Sequence, residues 1–141
     1  MIANLTDSGR RTTARSLRRD VADRVLDRSE WLDQADRALV AQVIGNGART
    51  GDLARIAGVS PRTIQRRIAK LIDRLLDPEV VHVLREHQRW PAPTRSVALA
   101  VWVRGRTLRQ AAAELRLSLH QVRQQLQLAR GLMARATQRS G

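Results

Sequence analysis

The sequence predicts an all-α fold, with an N-terminal helix and two similar helix-turn-helix units of three helices joined by a Pro-containing linker. Three observations support this prediction. Apolar residues recur at helical spacing along most of the 141 residues. The best stretch of alternating apolar and polar residues, 97–103, also fits a helix. One helical pattern recurs further along the chain, so that Ser60 and Ser118 precede similar segments.

Composition restricts the class of protein. Hydrophobic residues make up 43% of the chain, but Phe and Tyr are absent and only three Trp occur, so we expect a core of Leu, Val, Ile and Ala. Without Cys, the chain forms neither a disulfide framework nor a thiolate metal site. No run of 18 apolar residues is present, and residues 1–20 lack the apolar region of a signal peptide. We expect a cytoplasmic, nucleoid-associated protein with no membrane partner.

The net charge of +13 indicates a polyanionic partner. Every basic residue except Lys70 is an arginine, whose planar fork suits phosphate groups and guanine edges. The charge is uneven, because residues 89–141 contain ten basic residues and one acid, Glu114. An arginine-rich composition without any partner is the alternative interpretation.

Helices in the first half are placed by their apolar spacing and by their terminal residues. Gly45, Asn46 and Gly47 tolerate the left-handed conformation that ends a helix. Ser60 fits an N-cap and Pro61 the first helical position. The expected helices lie near 12–28, 30–45, 50–57 and 60–76.

In the second half, Pro91 and Pro93 disfavour helix at the residues before them. We therefore place a linker at 78–93, within which 79–89 fits a short helix. The remaining expected helices lie near 94–103, 107–116 and 118–136. The predicted divisions are an arm and helix at 1–29, helix-turn-helix units at 30–77 and 94–136, the linker, and a tail at 137–141.

A constant shift in residue number relates the two predicted units. Subtracting 64 from 122 gives 58, so that Ile64 corresponds to Val122, and by the same shift Gly47 corresponds to Gly105. An accident of helical periodicity is the alternative, but the matched glycines and serines favour a structural repeat.

The stretch 52–71, DLARIAGVSPRTIQRRIAKL, has the residues that a helix-turn-helix requires. Ala54 is small enough for the second helix to pack on it, and Gly58 tolerates the positive φ of a tight turn. The inner apolar residues are then Val59, Ile64, Ile68 and Leu71. The outer face consists of Pro61, Arg62, Gln65, Arg66 and Ala69. Arg pairs with guanine and Gln with adenine in the major groove.

The second copy, residues 110–133, repeats this arrangement with one departure. Arg116 stands where the turn glycine is expected, so the turn must be looser or strained. The inner positions are Ala112, Leu117, Val122 and Leu126, and the outer face consists of Leu119, His120, Arg123, Gln124 and Gln127.

Residues 91–133, which include TLRQAAAELRLS and LQLAR, resemble region 4 of bacterial sigma factors and related regulators. Leu53 to Lys70 resembles the helix-turn-helix of repressor headpieces. The resemblance implies promoter or operator binding through Arg62, Gln65, Arg66, Arg123, Gln124 and Gln127. It does not imply a working sigma factor, because nothing in the chain resembles the segment that melts promoters.

Phosphate contacts are expected from polar and basic residues at helix starts and turns, because such contacts position a DNA-binding domain. The candidates are Arg49, Thr50, Arg55, Lys70, Arg74, Arg104, Arg106, Thr107, Arg109, Arg116 and Arg130. A solvated arginine is the alternative for any single one.

Other chemistry finds little support in the sequence. His82 and His87 are five residues apart, whereas metal-binding helices place two His four apart, so HVLREH is interpreted as a solvated helix. We predict no catalytic site, metal or cofactor. Trp31 and Trp102 are assigned to the core, and Trp90 to packing. The N-terminal arm, with Arg10, Arg11, Arg15, Arg18 and Arg19, either contacts DNA or precedes a helix that forms a homodimer.

Three functional hypotheses follow. The first is a bacterial or phage regulator of transcription that binds double-stranded DNA through recognition helices near 60–76 and 118–136. The uneven charge suggests that the second unit anchors the protein, while the first reads bases or contacts polymerase or a second subunit. The second hypothesis is a sigma-like adaptor that binds RNA polymerase or another protein. The third is the DNA-binding portion of a recombinase or transposase.

Overall fold

The computed structural model describes residues 17–140, and all regular secondary structure in this range is helical. The predicted all-α class is confirmed. The chain divides into two compact units between Asp77 and Pro78. The first unit contains α1 (Arg19–Arg28), α2 (Gln34–Val40), α3 (Thr50–Ala57) and α4 (Pro61–Leu76), and the second contains α5 (Pro78–Glu86), α6 (Ala92–Ala98), α7 (Leu108–Leu115) and α8 (Leu119–Ser140).

In the first unit, α1 is part of the packed structure rather than a separate arm. Val21 and Val25 on α1 are buried, and the Arg28 Nη1 atom donates a hydrogen bond to the carbonyl of Leu75 at 2.8 Å. Buried apolar residues of α4, among them Ile72 and Leu75, complete the core. The predicted division at residue 29 is therefore corrected, because the first unit needs α1 to cover α4.

The helix predicted at 12–28 begins at Arg19, and residues 1–16, with Arg10, Arg11 and Arg15, lie outside the described residues. On α1, Val21 and Val25 are buried within the helix's own unit. The alternative that this helix forms a homodimer stays a prediction.

In the second unit, α6, α7 and α8 surround a core of small and branched residues: Val97, Ala100, Ala111, Val122 and Leu126. Trp102, Leu115 and Leu117 are partly buried against this core. The α8 helix continues to Ser140, beyond the predicted tail boundary at residue 137.

The interpretation of residues 78–93 as a linker is corrected. Residues 78–86 form α5, and Val83 and Trp90 are buried. Pro91 and Pro93 flank the first residue of α6, where proline is tolerated because the first helical N–H groups have no partner within the helix. HVLREH is not a solvated helix either, since Val83 and His87 are buried.

The second unit repeats the secondary structure of the first. The bounds of α3 and α7, Thr50–Ala57 and Leu108–Leu115, differ by 58 at both ends. A single π-helical turn extends α2 over Ala41–Gly45 and α6 over Leu99–Val103, with the same difference in number. The repetition includes 3₁₀ turns at Ser29–Trp31 and His87–Arg89. It therefore extends into the segments that the sequence assigned to an arm and a linker.

Candidate nucleic-acid interface

The turn between α3 and α4 is short and left-handed. Gly58 follows α3 with φ 72° and ψ 29°, and the Val59 N–H donates to the Ala54 carbonyl at 3.0 Å. The Ser60 Oγ atom accepts from the Thr63 N–H at 3.2 Å and caps α4. Ala54 is 1% exposed, so the small residue lies buried as the sequence predicted.

The turn between α7 and α8 has the same backbone conformation. Arg116 has φ 57° and ψ 45°, and the Leu117 N–H donates to the Ala112 carbonyl at 2.9 Å. Among the described residues, Arg116 is the only one other than glycine with a positive φ. The predicted choice between a looser and a strained turn is thus resolved in favour of a strained one.

The N-termini of the second unit's two motif helices are capped more completely than those of the first unit. Thr107 and Gln110 form a reciprocal capping box on α7. Ser118 and Gln121 form another on α8, with hydrogen bonds of 2.8 and 3.0 Å between side chains and backbone N–H groups. Arg49, at the position of Thr107, provides no side-chain cap to α3.

The buried face of α4 agrees with the predicted pattern at Ile64, Ile68 and Leu71. Two assignments are wrong: Val59 is 42% exposed, and Ala69 is 4% exposed rather than on the outer face. Val59 lies in the turn, before the helix. Helices α1, α2 and α3 all pack on α4, and they cover more of its circumference than a two-helix motif would.

The outer face of α4 displays the predicted base-reading residues of the first unit. Arg62, Gln65 and Arg66 are exposed and spaced so that they share one side of the helix. The Gln65 Nε2 atom donates to the Thr50 Oγ1 atom at 3.3 Å, which links this row to the start of α3.

The outer face of α8 displays the corresponding residues of the second unit. His120, Arg123, Gln124 and Gln127 are exposed, and Leu119 is half-buried. Behind them, Val122 and Leu126 are buried, as predicted. Each long helix therefore carries a continuous row of hydrogen-bonding side chains opposite its apolar side.

The residues predicted to contact phosphates differ in their exposure and in their contacts within the protein. Arg49, Lys70, Arg109 and Arg116 are exposed, as is Thr107, whereas Thr50, Arg74 and Arg104 are half-buried. Three others interact within their own unit. Arg55 forms an ion pair with Asp52 at 2.5 Å, and Arg106 forms one with Glu114 at 3.0 Å. The Arg130 guanidinium lies 5.3 Å from the ring centre of Trp102.

One pair of residues that the sequence analysis missed holds the long helix in place. The Arg67 guanidinium contacts the Asp36 Oδ1 atom through Nε at 2.9 Å and through Nη2 at 2.5 Å. At the equivalent positions of the second unit, the Thr94 hydroxyl donates to the Gln125 Oε1 atom at 2.6 Å. The shift that relates the two units aligns these two pairs, but it does not by itself indicate that either pair is in contact.

The units differ in charge. Residues 17–77 contain 12 basic and 9 acidic side chains, a net charge of +3, and residues 78–140 contain 11 and 3, a net charge of +8. This difference agrees with the excess of positive charge found in residues 89–141 of the sequence. The second unit is thus the stronger electrostatic attractor of a polyanion.

The buried His87 lies in the second unit, with 1% of its surface exposed. Burial lowers the pKa of His87, and the nearby positive charge of Arg95 lowers it further. The ring is therefore neutral near pH 7 and belongs to the core rather than to a surface site.

Within residues 17–140, no cluster of His, Asp or Glu side chains is arranged to hold a metal ion. The helices of this range are also too short or too polar for any of them to cross a bilayer. No protein-family model matches the chain, and no curated protein or solved structure is significantly similar to it.

Proposed function

We propose that this protein binds specific sequences of double-stranded DNA and regulates transcription. The observation that carries the proposal is the same in both units. In each unit, a short helix is followed by a left-handed turn and then by a long helix. The outer face of the long helix carries an exposed row of Arg, Gln or His side chains. We interpret α3–α4 and α7–α8 as helix-turn-helix motifs, with α4 and α8 as the recognition helices.

A single α-helix, such as α4 or α8, has the width that the major groove of DNA accepts. The major groove admits an α-helix and presents a distinct pattern of donors and acceptors for each base pair. Arg62 and Arg66 suit guanine, and Gln65 suits adenine, while Arg123 and Gln124 provide the same two chemistries on α8. These side chains lie in the first two turns of their helices, the part of a recognition helix that contacts bases.

The basic residues near the two motifs supply the electrostatic contribution to DNA affinity. Arg49 and Lys70 in the first unit, and Arg109 and Arg116 in the second, are exposed and available to phosphates. Because the second unit has the larger net charge, we assign it most of the salt-dependent affinity. The first unit then contributes a larger share of sequence discrimination.

The test begins with selection of bound duplexes from a random pool, followed by fluorescence anisotropy over a salt series. We expect affinity to fall steeply with salt, because each phosphate contact releases counterions. Absence of binding to any duplex at about 50 mM salt contradicts the proposal.

A substitution separates base reading from general attraction. Arg66→Ala should weaken binding to the selected duplex about 5- to 100-fold, and binding to random duplex much less. Arg24→Ala is the matched control, because Arg24 is exposed on α1 and pairs with Asp20. Equal losses on both duplexes would show that Arg66 does not contact bases.

A second candidate, a sigma-like adaptor for RNA polymerase or another protein, is favoured by one observation. Ile56 is 84% exposed and Val59, three residues later in the sequence, is 42% exposed, both in the less charged unit. Such a pair of apolar residues suits a protein contact. If RNA polymerase is retained by the immobilised chain and Ile56→Glu abolishes this retention, while no duplex binds, the adaptor function replaces DNA reading.

A further inference from the structure

We infer that the two units recognise different base sequences, so that the DNA target is bipartite and asymmetric. This inference rests on the proposed function and adds to it the form of the target. Its basis is an exchange of two side chains between equivalent positions of the recognition helices.

The equivalence of the positions comes from the backbone. The helices α4 and α8 begin at Pro61 and Leu119, whose numbers differ by the same 58 as the bounds of α3 and α7. Both follow turns with matching left-handed residues and serine caps. Each helix keeps its apolar side inward at matching positions, Ile64 and Val122. Side chains related by this shift on the first two turns therefore occupy the same place in each motif.

At two adjacent outward positions, the same two residue types occur in opposite order. Gln65 and Arg66 on α4 correspond to Arg123 and Gln124 on α8, and all four are exposed. Arg donates two hydrogen bonds to guanine O6 and N7, whereas Gln bonds adenine through N6 and N7. If each motif docks in the same way, the base pairs preferred at these two positions are interchanged between the half-sites.

Two further positions increase the difference. Arg62 corresponds to His120, so the first exposed polar side chain differs in reach and in its hydrogen-bonding groups. Gln127 is exposed, but its counterpart Ala69 is buried. The second unit therefore offers one more hydrogen-bonding side chain along the groove than the first, and its half-site is longer.

The experiment uses two full-length double variants, Gln65→Arg with Arg66→Gln and Arg123→Gln with Gln124→Arg. Each preserves composition and net charge, so non-specific affinity and its salt dependence should stay as in the wild type. Duplexes are selected from a random pool with all three proteins, and circular dichroism checks that the variants are folded.

We expect the wild type to select two unlike half-sites. Each double variant should change one half-site only, with the adenine and guanine preferences exchanged there. Affinity of a variant for the wild-type duplex should fall about tenfold or more for each mismatched base pair. Identical or palindromic wild-type half-sites overturn the inference, as do folded variants that select the wild-type duplex unchanged.

The two proposals fail in different ways. If all three proteins bind duplexes but show these overturning results, DNA binding stands and the asymmetric target is wrong. If none binds any duplex while remaining folded, the proposed function and this inference fail together.

Discussion

Gly58 and Arg116 occupy the same place in the two units, and both have left-handed backbone conformations, with φ values of 72° and 57°. The turn geometry is thus maintained whether or not the residue suits it. The structure around Arg116, including the hydrogen bond from Leu117 to Ala112, holds a conformation that L-residues disfavour.

Exchanging the residue types at this turn should have opposite effects. Arg116→Gly relieves about 1–2 kcal/mol of backbone strain but makes the unfolded chain more flexible, so we expect a gain of about 0.5–1 kcal/mol in unfolding free energy. Gly58→Ala should lose about 0.5–1 kcal/mol, because the backbone strain exceeds the gain from a less flexible unfolded chain. An added Cβ would meet nothing within 4 Å, so no steric clash contributes. Urea unfolding followed by circular dichroism measures both. A less stable Arg116→Gly protein would contradict the assignment of strain.

Acidification should destabilise the second unit through His87. Its pKa is lower in the folded state than the ordinary value of 6.5, so the unfolded chain takes up the proton first. The contribution to stability is full above about pH 6.5 and declines as the pH falls through the lowered value. We expect the Tm to fall as the pH decreases below about 6.5, and His87→Gln to reduce that dependence. His120→Gln, at an exposed position, is the control and should retain it.

The Asp36–Arg67 pair should be replaceable by the pair of the other unit. Asp36→Thr or Arg67→Gln alone removes one partner, and each should cost about 0.5–1 kcal/mol, a modest value because Arg67 is 49% exposed. The double variant should recover much of this loss by forming the hydrogen bond seen between Thr94 and Gln125. A double-mutant cycle measures the coupling, and about 1 M salt should weaken only the wild-type pair. Strictly additive losses would show that the positions are not coupled.

Substitution of two isoleucines in the first unit should change the unfolding free energy by very different amounts. Ile56→Glu introduces the residue type that occupies the equivalent position 114, and at 84% exposure it should change the unfolding free energy by less than about 0.5 kcal/mol. Ile64→Ala, at 6% exposure, should cost about 2–4 kcal/mol because it leaves a cavity. Thermal unfolding of both variants distinguishes them. A large loss in Ile56→Glu would mean that this side chain is covered in solution.

The fold was most predictable where local residues determine the backbone. Helix α3 has the predicted bounds, and α4 begins one residue after the predicted start, because Gly58, Ser60 and Pro61 act through their own conformational preferences. Pro91 was misinterpreted because proline both interrupts and starts helices. The choice here depends on the burial of Trp90 and Val83 against residues distant in sequence.

The candidate site was predictable to the same extent. Helical spacing identified the exposed residues Arg62, Arg66 and Arg123, but their DNA contacts stay predictions. The burial of Ala69 was not evident, because α1 and α2, which are distant in the chain, also pack on α4. The Asp36–Arg67 contact joins residues 31 positions apart, and nothing local in the sequence indicates it.

The constant shift between the two units has an evolutionary consequence. Loops usually gain and lose residues as homologous segments diverge, yet the 3₁₀ turns, π turns and left-handed turns all keep their spacing. This constant spacing is the pattern expected of a duplicated segment whose two copies differ by substitution rather than by insertion or deletion. In a symmetric dimer of a single unit, one mutation would alter both copies. With both copies in one chain, each can change while its neighbour stays the same.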